Sequence, residues 1–206
     1  MKKIILGAIS LTVALNAGEA SAFSLISGNQ ITPTTNLQSI GSFTIDEIAD
    51  GITADGLFPS FPGPFNGFAS NASSGTITLE LNGEFNLNSF ILWNDINVFE
   101  EGIKDFRLDF FNDSNGLIAS SPTFLAPITQ VDPREYVFNN LILGVSKVDL
   151  VVLNSNQSSL GINRIEIREV AFTGSPTAKT PEPTSMFSAV VAGLGILLLK
   201  GKSRAN

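Results

Sequence analysis

Carboxylates are the main reactive groups of this 206-residue chain, which has 19 Asp and Glu but no His and no Cys. Their absence excludes a Ser-His-Asp triad, a His-ligated zinc, a thiolate metal site and any disulfide, and removes the commonest general base near neutral pH. Two carboxylates alone suffice to hydrolyse a glycoside, provided they stand about 5–10 Å apart. Glu100, Glu101, Asp105 and Asp109 gather around one loop and strand. Asp105 and Asp109 share a strand face four residues apart, about 13 Å along an extended chain, which is too far for that reaction. No nucleophile motif, phosphate loop or cofactor fingerprint accompanies them. The residues therefore read as non-enzymatic, with a hydrolase only as a third choice. The other notable group is aromatic. Phe58, Phe61, Phe65 and Phe68 share the loop Leu57 to Phe68 with Pro59, Pro62 and Pro64. Pro stiffens such a loop, and exposed rings can stack on sugars or meet another surface. The same rings can instead fold down as a lid on the chain's own core. Phe58, Phe61 and Phe65 are the ligand-contact candidates, whereas Trp93, inside an apolar run, reads as core.

The elements that must position these groups are strands. Thr76 to Leu81 alternates with period two and is followed by the turn dipeptide Asn82-Gly83. Ser89 to Trp93 is a second apolar stretch. Phe106 to Phe110 alternates, Asn112 to Gly116 turns the chain, and Leu117 to Leu125 returns it. Val148 to Leu153 is continuous and β-branched, as suits a central strand, and Ile162 to Val170 alternates again. Shorter strands are expected at Phe23 to Ser27, Ser39 to Ile45 and Tyr136 to Phe138. Eight or nine short strands without helical periodicity predict an all-β antiparallel sandwich or barrel.

The two ends read as addresses. Lys2 and Lys3, the apolar run Ile4 to Ala17 and the small residues Ala20 and Ala22 stand in the order of a secretory signal, with cleavage expected after Ala22. At the other end, Pro181-Glu182-Pro183 precedes an apolar run from Met186 to Leu199 and the basic residues Lys200, Lys202 and Arg204. Fourteen residues of helix rise about 21 Å, less than the roughly 30 Å hydrocarbon core. Spanning would need flanking residues and snorkelling Lys, with the basic end cytoplasmic. This arrangement resembles the PEP-CTERM sorting signal. The resemblance implies recognition and cleavage by the membrane protease exosortase, export, and a link with exopolysaccharide. A plain C-terminal anchor is the simpler alternative. The expected organisation is signal peptide 1–22, sandwich 23–174, linker 175–180 and sorting signal with transmembrane helix 181–206. The product would be exported, held at the membrane transiently or stably, and then cell-surface or extracellular.

Between the two addresses, residues 23–180 hold seven basic and seventeen acidic side chains, a net of −10. Such a domain repels phosphate backbones, so nucleic acid is not an expected partner. Its carboxylates can retain divalent cations, or can simply keep it soluble. The order of Asp50-Gly51, Phe65 to Ala69, Gly75 to Leu81, Phe90 to Asn94, Gly102 to Leu108 and Ile165 to Phe172 resembles the discoidin, or galactose-binding-like, jelly roll. That resemblance implies a jelly-roll sandwich and a structural calcium between the Asp-Gly loop and the last strand. Asp50 and Glu169 match those places, and Asp55 with nearby carbonyls would complete the shell. It also implies a glycan-binding-like module that meets extracellular polysaccharide. The alternative is a structural envelope protein with a protein partner.

Overall fold

The computed structural model describes residues 22–52, 65–94, 102–126, 133–156 and 161–177. Nine strands carry the fold: β1 (Ser24–Ile26), β2 (Ile31–Thr35), β3 (Phe68–Ser70), β4 (Gly75–Asn94), β5 (Ile103–Phe111), β6 (Leu117–Ser120), β7 (Phe124–Leu125), β8 (Arg134–Ser155) and β9 (Ile165–Pro176). Among the described residues the only helices are two 3₁₀ turns, Gly28–Gln30 and Ile45–Ala49.

All pairings are antiparallel. The backbone of the fold is a ribbon of β4 and β8, paired from Gly75–Val152 to Leu92–Arg134, with register shifts between Glu80 and Ser89. The first half of this ribbon carries β2 on one side and β5 on the other, with β6 and β7 beyond β5. The second half carries β9, which in turn holds β1 and β3. The two halves face each other across one core. Phe90 on the second half lies 5.6 Å from Phe106 on β5, and Phe110 on β5 lies 5.2 Å from Phe138 on the second half. The inward positions match the sequence alternation: Ile77, Leu79, Phe106, Leu108, Phe110, Val148, Leu150 and Val152 are all buried. Each such side chain stabilises by about 1.5–3 kcal/mol.

The layers define two poles. At the first, the Asn94 amide bonds to both the N–H and the carbonyl of Ile103 at 2.8 Å, and Gly102 N–H donates to Arg164 O. This is the loop pole. At the second, the ribbon turns its corner: Gly83 has φ +133° and Gly144 φ +69°, and Thr177 N–H donates to Glu84 O at 2.9 Å. This is the corner pole.

Several sequence expectations need correction. Asn82-Gly83 is not a hairpin turn. Strand β4 runs through it, because its two halves pair with β8 rather than with each other. The separate strands expected at Tyr136–Phe138 and Val148–Leu153 belong to the single long β8. Residues 39–45 form no strand; a lone bridge joins Ile40 to Phe43 before the 3₁₀ turn. Strands β2 and β3 were not expected. Pro33 masks β2 in the sequence, but β2 is hydrogen-bonded only to β4, and such an edge tolerates Pro. Strand β9 runs to Pro176, two residues into the segment read as linker.

Candidate functional site

Strand β9 looked half-solvated in the sequence, yet nearly all of it is buried. Ile165, Ile167, Val170 and Phe172 join the core. Between Trp93 and Asn94 of β4 the register of β9 slips by one residue. That bulge puts Arg168 and Glu169, adjacent in the chain, on the same outer face. The segment from Ile40 to Gly51 covers this face, so Glu166, Arg168 and Glu169 are 6%, 1% and 0% exposed. Plain alternation along β9 would turn Glu169 to water; the bulge and the covering segment bury it instead.

A buried carboxylate needs partners. Glu169 Oε1 accepts the Gly51 N–H at 2.9 Å. Gly51 adopts φ +81°, which favours Gly and aims its N–H inward. Asp50, itself exposed, uses Oδ1 to accept the Ile52 N–H at 2.8 Å, an Asx turn, and Oδ2 to accept the Asn66 amide at 3.2 Å. The Asp-Gly loop is therefore tied to β9 on one side and to Asn66 on the other. Gly67 then passes so close to β9 that a Cβ there would lie 2.7 Å from Arg168 Cα. This close passage seats Phe65 over β9. Its half-buried ring meets Phe43 edge-on at 4.9 Å, and the Arg168 guanidinium carbon lies 5.8 Å from the ring centre. A separate open depression of about 340 Å³ is bordered by Asn36, Gln38, Ser39, Ser70 and Asn71. Near Gly51 the Asp50 carboxylate, the Asn66 amide and the Phe65 ring come together.

Of the candidates read from sequence, the fold brings Asp50, Phe65 and Glu169 together. Asp55, Phe58 and Phe61 lie outside the described residues, as do Ala20, Pro181, Glu182, Pro183, Lys200, Lys202 and Arg204. Ala22 is exposed at the start of the described chain. Among the described residues no three of His, Cys, Asp and Glu lie together as a metal-binding group, and no helix is long and apolar enough to cross a membrane. Trp93 is buried, as expected of a core residue. The sequence missed Asn66, Arg168, Phe43 and the amides around the depression. Asn66, between Phe65 and Gly67, was the best available signal, but Asn in a loop is commonplace.

The remaining acids are engaged elsewhere. Asp105 accepts two bonds from the Asn154 amide at 2.8 and 3.0 Å. Asp109 accepts a fork from Arg107 at 2.9 and 2.8 Å, and that hydrogen bonding holds its carboxyl below the usual carboxylate range. Glu100 and Glu101 lie outside the described residues.

No protein-family model and no curated protein matches this chain. Solved structures do. The family 32 carbohydrate-binding module of Clostridium perfringens NanJ, solved with galactose, matches with a TM-score of 0.56 at 10% identity, covering 74% of this chain and 99% of that one. A family 32 module from a Clostridium perfringens family 31 glycoside hydrolase gives 0.57 at 12%, covering 73% and 95%. The family 32 module of Streptococcus pneumoniae EndoD gives 0.54 at 15%, covering 72% and 98%. At these identities the likeness shows the fold alone: an antiparallel jelly-roll sandwich like that of these modules.

Proposed function

We propose that this chain is an exported, non-catalytic glycan-binding module. One observation carries the reading: the half-buried Phe65 ring directly precedes Asn66, whose amide is held by the exposed Asp50 carboxylate. Sugars are recognised by a ring that covers their C–H face and by planar polar groups that bond their hydroxyls. The jelly-roll likeness to carbohydrate-binding modules, one of them solved with galactose, supports the same reading. It also supports a role in binding rather than catalysis. The β5 carboxylates Asp105 and Asp109, held by Asn154 of β8 and Arg107 of β5 respectively, add nothing in favour of a hydrolase.

Calcium is part of the proposal. It prefers six to eight oxygens, and Asp50 and Glu169 flank Gly51 with Asp55 nearby in sequence. A bound ion there would join the same two elements that the Gly51–Glu169 bond already joins, stiffening the loop that carries Asp50. The terminal segments support export through the signal at 1–22 and sorting by exosortase at Pro181-Glu182-Pro183, with extracellular polysaccharide as the partner.

A glycan array probed with residues 23–177 tests the reading. Binding is expected, with Phe65→Ala and Asn66→Ala each weakening it about ten-fold, near 1.4 kcal/mol. A folded domain that binds nothing on the array, in calcium or without it, overturns the proposal in favour of a structural protein with a protein partner.

A further inference from the structure

The corner pole carries a second surface. Strand β9 delivers the chain to Thr177, beside Glu84 at the ribbon's corner. On one side of β9 lies β1, where Phe23 is 51% and Leu25 40% exposed. On the other side, one strand beyond β4, lie Leu141 and Leu143, 39% and 59% exposed. Ile26 and Ile142 pack towards the core, so by strand alternation Leu25, Leu141 and Leu143 face outward from the same sheet half. Strand spacing puts β1 about 5 Å and β8 about 10 Å from β9. Large apolar side chains therefore flank the exit point on both sides. Among the described residues Glu84, Asn86 and Asn88 lie along the ribbon beside them, and Lys179 follows two residues beyond Thr177 in the sequence.

The sequence beyond Thr177 decides what this surface meets. Eight residues, 178–185, separate it from the apolar run Met186 to Leu199. Fully extended they reach about 27 Å, so wherever that run inserts, the corner pole follows closely. The opposite pole lies further along the same strand from the exit point. Glu169 is seven residues from Pro176 along the same strand, roughly 23 Å away.

We infer that the corner pole is a lipid-contact surface. Phe23, Leu25, Leu141 and Leu143 rest in the interface of an uncharged bilayer, so that the loop pole with Asp50, Asn66 and Phe65 points away from it. The inference rests on the reading of residues 186–199 as a membrane segment and concerns the form that still carries them. Exposed apolar side chains are stabilised by this burial, whereas Glu84 disfavours an anionic surface.

The absence of Cys makes the test direct. Leu25→Cys, Leu143→Cys and Gln38→Cys, the last at the loop pole, are each labelled with an environment-sensitive fluorophore in the full chain. Each is reconstituted into phosphatidylcholine vesicles bearing a nitroxide near the top of the acyl chain. Labels at 25 and 143 should be quenched at least two-fold, and the label at 38 not at all. Leu141→Ser with Leu143→Ser should abolish quenching at 25 while the chain still floats with the vesicles. Chain that floats with all three labels quenched alike, or none, overturns the orientation. Labels at 143 that quench one another in a cross-linkable dimer, without lipid quenching, overturn it in favour of a second copy on this face. Chain that does not float overturns the membrane reading of the tail instead, with the glycan array still standing as a separate test of the loop pole.

Discussion

Tyr136 is the chain's single tyrosine, so its ionisation can be followed alone. Its ring is buried among Phe106 at 5.1 Å, Phe124 at 4.9 Å and Phe90 at 6.3 Å, and its hydroxyl donates to Leu125 O at 3.0 Å. Burial opposes the phenolate, and the Arg134 guanidinium near the ring only partly offsets this, so the group is pushed up to about 12 from 10.0. A folded value above the unfolded one means the contribution is complete below the unfolded pKa and is lost as pH rises through the folded one. The window is therefore pH 10 to 12. Two units correspond to about 2.7 kcal/mol of stability lost across it. The phenolate absorbance band should show a midpoint near 12 in native buffer and near 10 in concentrated urea. Tyr136→Phe should cost about 1 kcal/mol at neutral pH through its lost hydrogen bond, and its stability should then fall less between pH 10 and 12 than the parent's. A native midpoint near 10, with near-ultraviolet dichroism proving that Trp93 is still packed, would refute the reasoning.

Other outcomes follow from the same geometry. If calcium joins the Asp-Gly loop to β9, excess EDTA should lower the melting temperature of residues 23–177, and Asp50→Ala should remove that sensitivity; a melt unchanged by EDTA rejects the structural metal. Gly67→Ala forces a methyl against the Ile167 carbonyl at φ +152° and should destabilise by about 1–3 kcal/mol, read as a lower urea midpoint; an unchanged midpoint contradicts the close passage. Changing Pro181-Glu182-Pro183 to three Ala should leave a longer, membrane-retained form in a host with exosortase. Equal intact masses, both retaining the tail, would show a plain anchor.

How far the sequence disclosed the fold depended on which constraint each segment obeys. Thr76 to Leu81, Phe106 to Phe110 and Val148 to Leu153 were legible because one face or both are buried by regular pairing, and burial writes itself as alternation or as a continuous apolar run. The ribbon was not legible as a unit. Its corner uses Asn82-Gly83 and Gly144, residues that look the same in a hairpin turn. Strand β2 hid behind Pro33, and β3 is only three residues long. Asp50, Phe65 and Glu169, singled out from residue type and family order, fall near one another in the fold. The burial of Glu169 was not legible, because a bulge and a covering segment bury the side that alternation assigns to water. Asn66 and Arg168 gain meaning only from Gly67's close passage over β9, a contact made across about a hundred residues of chain.

One strand joins both ends of the molecule. Strand β9 begins beneath the loop pole, holds Glu169 and ends at Pro176, just before Thr177, the last described residue. If the loop pole held a ligand and the tail were anchored, a pull between them would be directed along β9. The ladders to β1, β3 and β4 lie across that direction, so their hydrogen bonds are strained together in shear rather than opened one at a time. Were the domain to act as a tether between a surface and a ligand, its load would run through a strand buried along nearly its whole length.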